Sequence, residues 1–221
     1  LHAAAAGGFT AVCSTPDTDP VMDHAAVVDQ VLRRAAGISG ARLWPVGAAT
    51  AGLAGETLAP IGELSELGCV AVTQGQRPIP SARLMRGALD YSAMFGLPVI
   101  SLAVEPSLAG VCDEGPWSTR LGLSASPAAA GVIAVARDLA LAELTGGRLH
   151  LTCVSTGAAV ELIRQAKGRG VPVTCDVAAH HLTFTAADLA SYDPHLKVWP
   201  PFRTPADREA LLTGLIDGTV D

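Results

Sequence analysis

The feature that most constrains this chain is a two-part unit repeated along it: a short apolar run of strand length, then an amphipathic stretch of helical period. Runs at 9–14, 41–48, 70–73, 99–104, 149–155 and 173–177 are predicted to be strands. The stretches at 23–35, 58–67, 81–95, 127–144, 158–167 and 205–215 are predicted to be helices, several of them stopped by glycine. Asp23 is expected to cap the first of these, with Ala26, Val27, Val31 and Leu32 on its buried face. The strands are nearly continuously apolar where they are clearest, as in Val99-Ile100-Ser101-Leu102-Ala103-Val104. That suits a parallel sheet covered on both faces. Right-handed strand–helix–strand crossovers repeated at this spacing give either a doubly wound sheet or a closed barrel. No Gly-x-Gly-x-x-Gly follows a strand and no Gly-x-x-x-x-Gly-Lys occurs, so the nucleotide-binding doubly wound folds lose ground.

The expectation is therefore an α/β fold, a TIM-type (β/α)8 barrel. A closed barrel needs eight units, and only six are legible. Residues 1–8 read as the last turns of a helix whose strand is missing, and 218–221 as entry into a further strand. The whole of 1–221 is thus expected to be one barrel domain truncated at both ends.

Composition narrows the function classes. Hydrophobic residues are 49% and charged residues 16% of the chain, which excludes disorder. The formal net charge of −6 comes without a basic stripe for nucleic acid. No apolar run approaches the roughly 20 residues of a membrane span, and no export leader opens the sequence. Cys13, Cys69, Cys112, Cys153 and Cys175 are odd in number, with no CxxC pair. They read as reduced core residues of a cytoplasmic protein.

In such barrels the working groups sit at the C-terminal ends of strands. A hydrolytic metal site wants His, Asp, Glu or a carbamylated Lys converging there, to lower the pKa of a bound water. The successive ends contain Asp17, Thr50, Gln74-Gly75-Gln76, Glu105, Cys153 and His180-His181, so only the last offers histidine. Adjacent histidines in extended chain point to opposite sides, which favours a structural role for that pair. His150 and Asp176 lie within strands and read as structural groups, Asp176 as a salt-bridge member. Arg203, after Pro200-Pro201-Phe202, reads as a solvated loop arginine. His2, His24 and His195 read as surface groups. No Gly-x-Ser-x-Gly elbow is present, and Cys153 has no evident histidine partner in the sequence, so a nucleophilic hydrolase gains no support.

The order and wording of the segments resemble dihydroorotase, the amidohydrolase-superfamily enzyme that closes carbamoyl aspartate to dihydroorotate. The resemblance runs along essentially the whole chain. It rests on residues 3–10, on Pro16-Asp17-Thr18-Asp19-Pro20-Val21, on residues 137–143, on His180-His181-Leu182 and on Tyr192-Asp193-Pro194-His195-Leu196-Lys197-Val198. The departures fall on functional positions. The resemblance implies metal-binding histidines where this chain has Leu102 and Cys153, and an acidic segment where it has Gln74-Gly75-Gln76. It implies substrate asparagines where Asp17 and Trp199 stand. A carboxylate at Asp17 within about 4 Å of the carboxylate of dihydroorotate would repel it by roughly 4 kcal/mol at an effective dielectric near 20, about a thousandfold in affinity.

The resemblance therefore implies a member of the inactive branch of the family. It would have no catalytic residue, no bound cofactor, and Asp17, Trp199, Gln74, Gly75, Leu102 and Cys153 as vestigial positions. It implies a partner as well, an aspartate carbamoyltransferase subunit or a second copy of the chain. The rival expectation is an active zinc-dependent dihydroorotase whose remaining metal ligands, a His-x-His and an Asp-His-Ala-Pro segment, lie outside this sequence.

Overall fold

A computed structural model describes residues 1–221, which form two compact units: Leu1–Ile100 with Thr145–Arg148, and Ser101–Leu144 with Leu149–Asp221.

The first unit begins with α1 (His2–Ala6) and β1 (Ala11–Ser14), then α2 (Ala25–Ala36) and β2 (Arg42–Ala48). It continues with α3 (Ile61–Glu66), β3 (Ala71–Thr73), α4 (Ala82–Ala93) and the start of β4 (Val99–Leu102). All pairings are parallel, in the order β1-β2-β3-β4, with Val12 opposite Leu43, Val46 opposite Ala71, and Val72 opposite Val99. Parallel neighbours cannot be joined by a tight turn, so each strand is followed by a crossover whose helix lays an apolar face on the sheet. Ser81 caps α4, its Oγ accepting from Leu84 N at 3.1 Å, and Met85, Ala88, Leu89 and Ser92 form the buried stripe.

The second unit takes up the end of β4, where Ala103 N–H donates to Thr152 O at 3.2 Å. It then runs through β5 (Cys112–Asp113), α5 (Pro116–Leu121), β6 (Ala125–Ser126), α6 (Ala129–Thr145) and β7 (Leu149–Thr152). It closes with α7 (Gly157–Gly168), β8 (Val173–Cys175) and α8 (Pro205–Ile216). β7 and β8 are parallel, Leu149 facing Val173. The helices α7 and α8 pack so closely that a Cβ at Gly157 would lie 2.8 Å from Ala210 Cβ, and only glycine fits there. Thr204 and Asp207 cap α8 reciprocally, with Pro205 in the first turn.

The six long strands and six main helices expected from periodicity are all present, with shifted ends. The first main helix starts one residue later than expected: His24 occupies the cap position, while Asp23 accepts from Gly52 N at 2.7 Å. Its buried residues are Val27 and Val28, and Ala26 is exposed. The helix expected from 58 starts at Ile61, because Pro60 disfavours helical backbone in the residue before it. The strand expected at 149–155 stops at Thr152, since Cys153 adopts φ 58° and turns the chain out of the sheet. The short pair β5 and β6 with α5 between them was not legible, because two-residue strands carry no period. All five cysteines are free, but only Cys69, Cys112 and Cys175 are buried; Cys13 is exposed and Cys153 half-buried. No helix is long and apolar enough to cross a membrane.

One carboxylate lies wholly inside the second unit. Asp138, on α6, is fully buried, and it accepts from Ser101 Oγ at 2.6 Å and from Arg137 Nε at 2.7 Å. A buried carboxylate is tolerated only with such partners, and removing one member of a buried pair is costly. Asp138→Ala is expected to lower unfolding stability by about 3 kcal/mol. A fall in the urea midpoint at unchanged slope measures this, and a midpoint equal to wild type would contradict it.

Candidate functional site

In the first unit the side chain at the end of β3 is satisfied by the protein itself. Gln74, just after β3, is 3% exposed, and its amide is used at both ends. Thr50 Oγ1 donates to Gln74 Oε1 at 2.8 Å, and Gln74 Nε2 donates to Leu53 O at 2.8 Å. Gly75 follows with φ 71°, next to the exposed Asp17 carboxylate that comes after β1. Asp17, Thr18, Gln74, Gln76 and Arg77 line an open cleft of about 400 Å³. It holds one carboxylate and one guanidinium, and no histidine or cysteine.

In the second unit, Leu102 ends β4 at 5% exposure and offers no lone pair. Beyond β7, Cys153 takes its left-handed conformation because Asp176 holds the backbone there: Cys153 N–H donates to Asp176 Oδ1 at 2.8 Å. The other oxygen, Asp176 Oδ2, receives Thr152 Oγ1 at 2.8 Å and sits 2.9 Å from His150 Nε2. His150 Nδ1 is 2.8 Å from Thr174 Oγ1. Burial pushes the Asp176 carboxyl up, but the hydrogen bonds from His150, the Cys153 amide and Thr152 outweigh it and hold it below the ordinary aspartate value. Burial pushes the Cys153 thiol up, and the nearby Asp176 charge adds to this, against a weaker opposing contact from Thr152.

His180 and His181 lie in a turn of 3₁₀ helix, Ala179–Leu182, not in extended chain. Their rings therefore stack on one side, with centroids 4.6 Å apart, rather than pointing apart as strand geometry would require. His181 is 2% exposed against Phe202, with Nε2 3.0 Å from Pro200 O and Nδ1 without a partner. A carbonyl accepts, so Nε2 carries a proton. Trp199, immediately before this segment, is 37% exposed.

Arg203 is not the solvated loop side chain expected from the sequence. It is 3% exposed and ion-paired with Asp113, NH1 to Oδ1 at 2.8 Å, and NH1 also donates to Ser126 O at 2.5 Å. Its partners stand 90 and 77 residues away in sequence, and no local pattern signals them.

A zinc centre needs three or four converging nitrogen, oxygen or sulfur donors. No group of three His, Cys, Asp or Glu side chains in the chain meets this. Asp176, the nearest carboxylate, is already engaged by three donors. The residues of this chain do not by themselves make a zinc centre.

Comparison with known proteins gives the family. The profile of the dihydro-orotase-like family matches residues 1–159. The chain belongs to this family. A protein named dihydroorotase from Syntrophobacter fumaroxidans is 53% identical over 221 residues, covering 99% of this chain and 50% of that protein. One of the same name from Desulforapulum autotrophicum is 48% identical over 223 aligned positions, covering 52% of its own length. The chain spans about half the length of the curated relatives it matches. Among solved structures, L-hydantoinase from Arthrobacter aurescens aligns with a TM-score of 0.80 at 22% identity, over 99% of this chain and 50% of that one. Dihydroorotase from Saccharomyces cerevisiae, solved with 5-fluoroorotic acid, aligns with a TM-score of 0.71 at 15% identity, over 96% of this chain and 60% of that one. This likeness carries the fold: the chain has the parallel β/α architecture of the amidohydrolase barrels, with six of its strands. None of these matches marks an inactive branch.

The buried His181 has a consequence for pH. Burial, reinforced by the neighbouring His180, pushes it down to about 4. The unfolded chain would protonate it near 6.5, so between those values the unfolded state binds the extra proton and folding weakens as pH falls. The loss is expected to reach roughly 3 kcal/mol by pH 4. His181→Phe should flatten the acid limb of a stability-versus-pH curve; an unchanged limb in that variant would remove His181 as its cause.

Proposed function

We propose that this chain forms part of the barrel of a dihydroorotase-family protein of pyrimidine biosynthesis. The observation that carries this is identity of about half, along the whole chain, with proteins named dihydroorotase. At that identity the names favour a catalytic protein, one that interconverts carbamoyl aspartate and dihydroorotate, over any other role. On this reading the donors for the metal come chiefly from the part of the relatives' length that the chain does not cover, joined by Cys153 or His180.

One specific observation favours a second reading. Leu102, Cys153 and Gln74 stand where the resemblance implies metal ligands or an acidic group, and Asp17 and Trp199 where it implies substrate asparagines. Leucine cannot ligate, and Gln74 is tied by its own neighbours. On this reading the protein is a non-catalytic homologue that acts as a structural partner of aspartate carbamoyltransferase or of a second copy of itself. The partner is inferred from the resemblance alone.

One preparation separates the two. The full-length protein is purified, its zinc content measured, and dihydroorotate hydrolysis assayed. The catalytic reading expects about one or two zinc ions per chain with turnover that a chelator abolishes. The non-catalytic reading expects neither, together with co-elution with aspartate carbamoyltransferase. Stoichiometric zinc with turnover ends the second reading; metal-free, inactive protein ends the first.

A further inference from the structure

In the second unit, α6 turns Ala130, Ala134, Val135 and Leu139 inward, where they are buried. A helix in this position ordinarily presents charged and polar side chains on its other face. Here the other face carries Ala129, Ile133, Ala136, Ala140 and Leu144, all exposed, Ile133 at 47% and Leu144 at 65%. The charges of the helix are spent elsewhere: Asp138 is buried, Arg137 is held by it, and Glu143 pairs with Arg169 at 3.1 Å. We propose that this face is where two copies of the chain meet, α6 against α6, antiparallel about a two-fold axis beside Ala136.

The order of side-chain sizes selects a second copy as the occupant. The exposed positions recur every three or four residues, close to the 3.5 period that keeps one seam between two helices. With the axis between 136 and 137, position 129 lies opposite 144 and position 133 opposite 140. Each large side chain, Ile133 or Leu144, then meets an alanine of the other copy, and Ala136 meets its own counterpart. A two-fold contact demands this property, that if i meets j then j meets i. In a parallel pairing Ile133 would meet Ile133 and Leu144 would meet Leu144, holding the alanines apart. In the antiparallel one the alanines let the helix axes come to about 8 Å, the near end of helix-packing distances.

Charge agrees with that direction. Antiparallel helices set the positive N-terminal end of each beside the negative C-terminal end of the other. Glu143, half-exposed despite its pairing with Arg169, adds negative charge where the other copy's first turn offers amides that no helix can satisfy internally. The area sets the strength. The 17 residues of α6 span about 25 Å and present a strip of roughly 300 Å². A stable complex buries about 800 Å² per partner, so the expected association is weak, with a dissociation constant on the order of 100 μM. This surface gives a place to the self-association named in the second reading above. It does not depend on the protein being inactive, because none of its positions is a strand-end group.

The test uses full-length protein carrying Cys13→Ser, which removes the exposed native thiol and sets the background. Single cysteines are added on α6 and treated with a short bis-maleimide at a protein concentration of about 100 μM. Ala136→Cys is expected to give a covalent dimer, because it lies beside the axis. Ala129→Cys and Leu144→Cys should each cross-link poorly alone and well when mixed, since each faces the other across the axis. Ala140→Arg, too large for the gap opposite Ile133, should weaken sedimentation-detected association at least about tenfold. The proposal is overturned if Ala136→Cys gives no dimer above background, or if Ala129→Cys alone cross-links as well as the mixture. It is also overturned if the added thiols resist a monofunctional maleimide in monomeric protein, since the rest of the chain then covers the face. Should Ala136→Cys fail to fold, the Ala129→Cys and Leu144→Cys mixture decides alone. These readouts are independent of zinc content and turnover, so they fail or succeed separately from either functional reading.

Discussion

Parallel strand pairing is the constraint on which the rest of this molecule depends. Because β1 to β4 run in one direction, as do β7 and β8, each must be reached by a crossover, and each crossover helix must bury a face on the strands it connects. This explains why the strands are apolar on both sides and why helices such as α4 and α7 carry stripes of Met, Ala, Val and Ile. It also gathers the C-terminal strand ends of each unit at one end, where backbone amides and carbonyls leave the ladder and polar side chains must take over.

How those polar groups are satisfied separates structural from chemical roles. Asp176 spends its hydrogen-bonding capacity on Thr152, His150 and the Cys153 amide, so it shapes the end of β7 and has little left for a ligand. Gln74 is closed between Thr50 and Leu53 in the same way. Arg203 differs, since its Nε is buried without a partner in the protein. Family membership describes the scaffold, and these local accounts describe what each part of the scaffold is free to do.

Much of the fold was legible because periodicity and end signals act locally. The helices expected at 81–95 and 205–215 begin within a residue of those bounds, and there Ser81 and Thr204 act as caps. The errors arose where a distant group decided a local outcome. Asp23 left its expected cap for the amide of Gly52, and Cys153 was drawn out of the strand by Asp176. Arg203 followed a proline-rich loop, which usually means solvent, but Asp113 and Ser126 enclosed it. The candidate positions Asp17, Gln74, Gly75, Leu102, Cys153 and Trp199 came from resemblance, since chemistry that has changed side chain leaves no periodic trace.

The sequence by itself determined the kind of architecture, the run of strands and helices and the family wording, because hydrophobic period, caps and glycine stops are properties of neighbouring residues. Only the tertiary structure decided which polar groups are spent and which remain available. Hydrogen bonds and ion pairs between residues 20 to 90 positions apart depend on where folding delivers each side chain, as the Thr50–Gln74, His150–Asp176 and Arg203–Asp113 pairs do. No local pattern in the chain encodes that delivery.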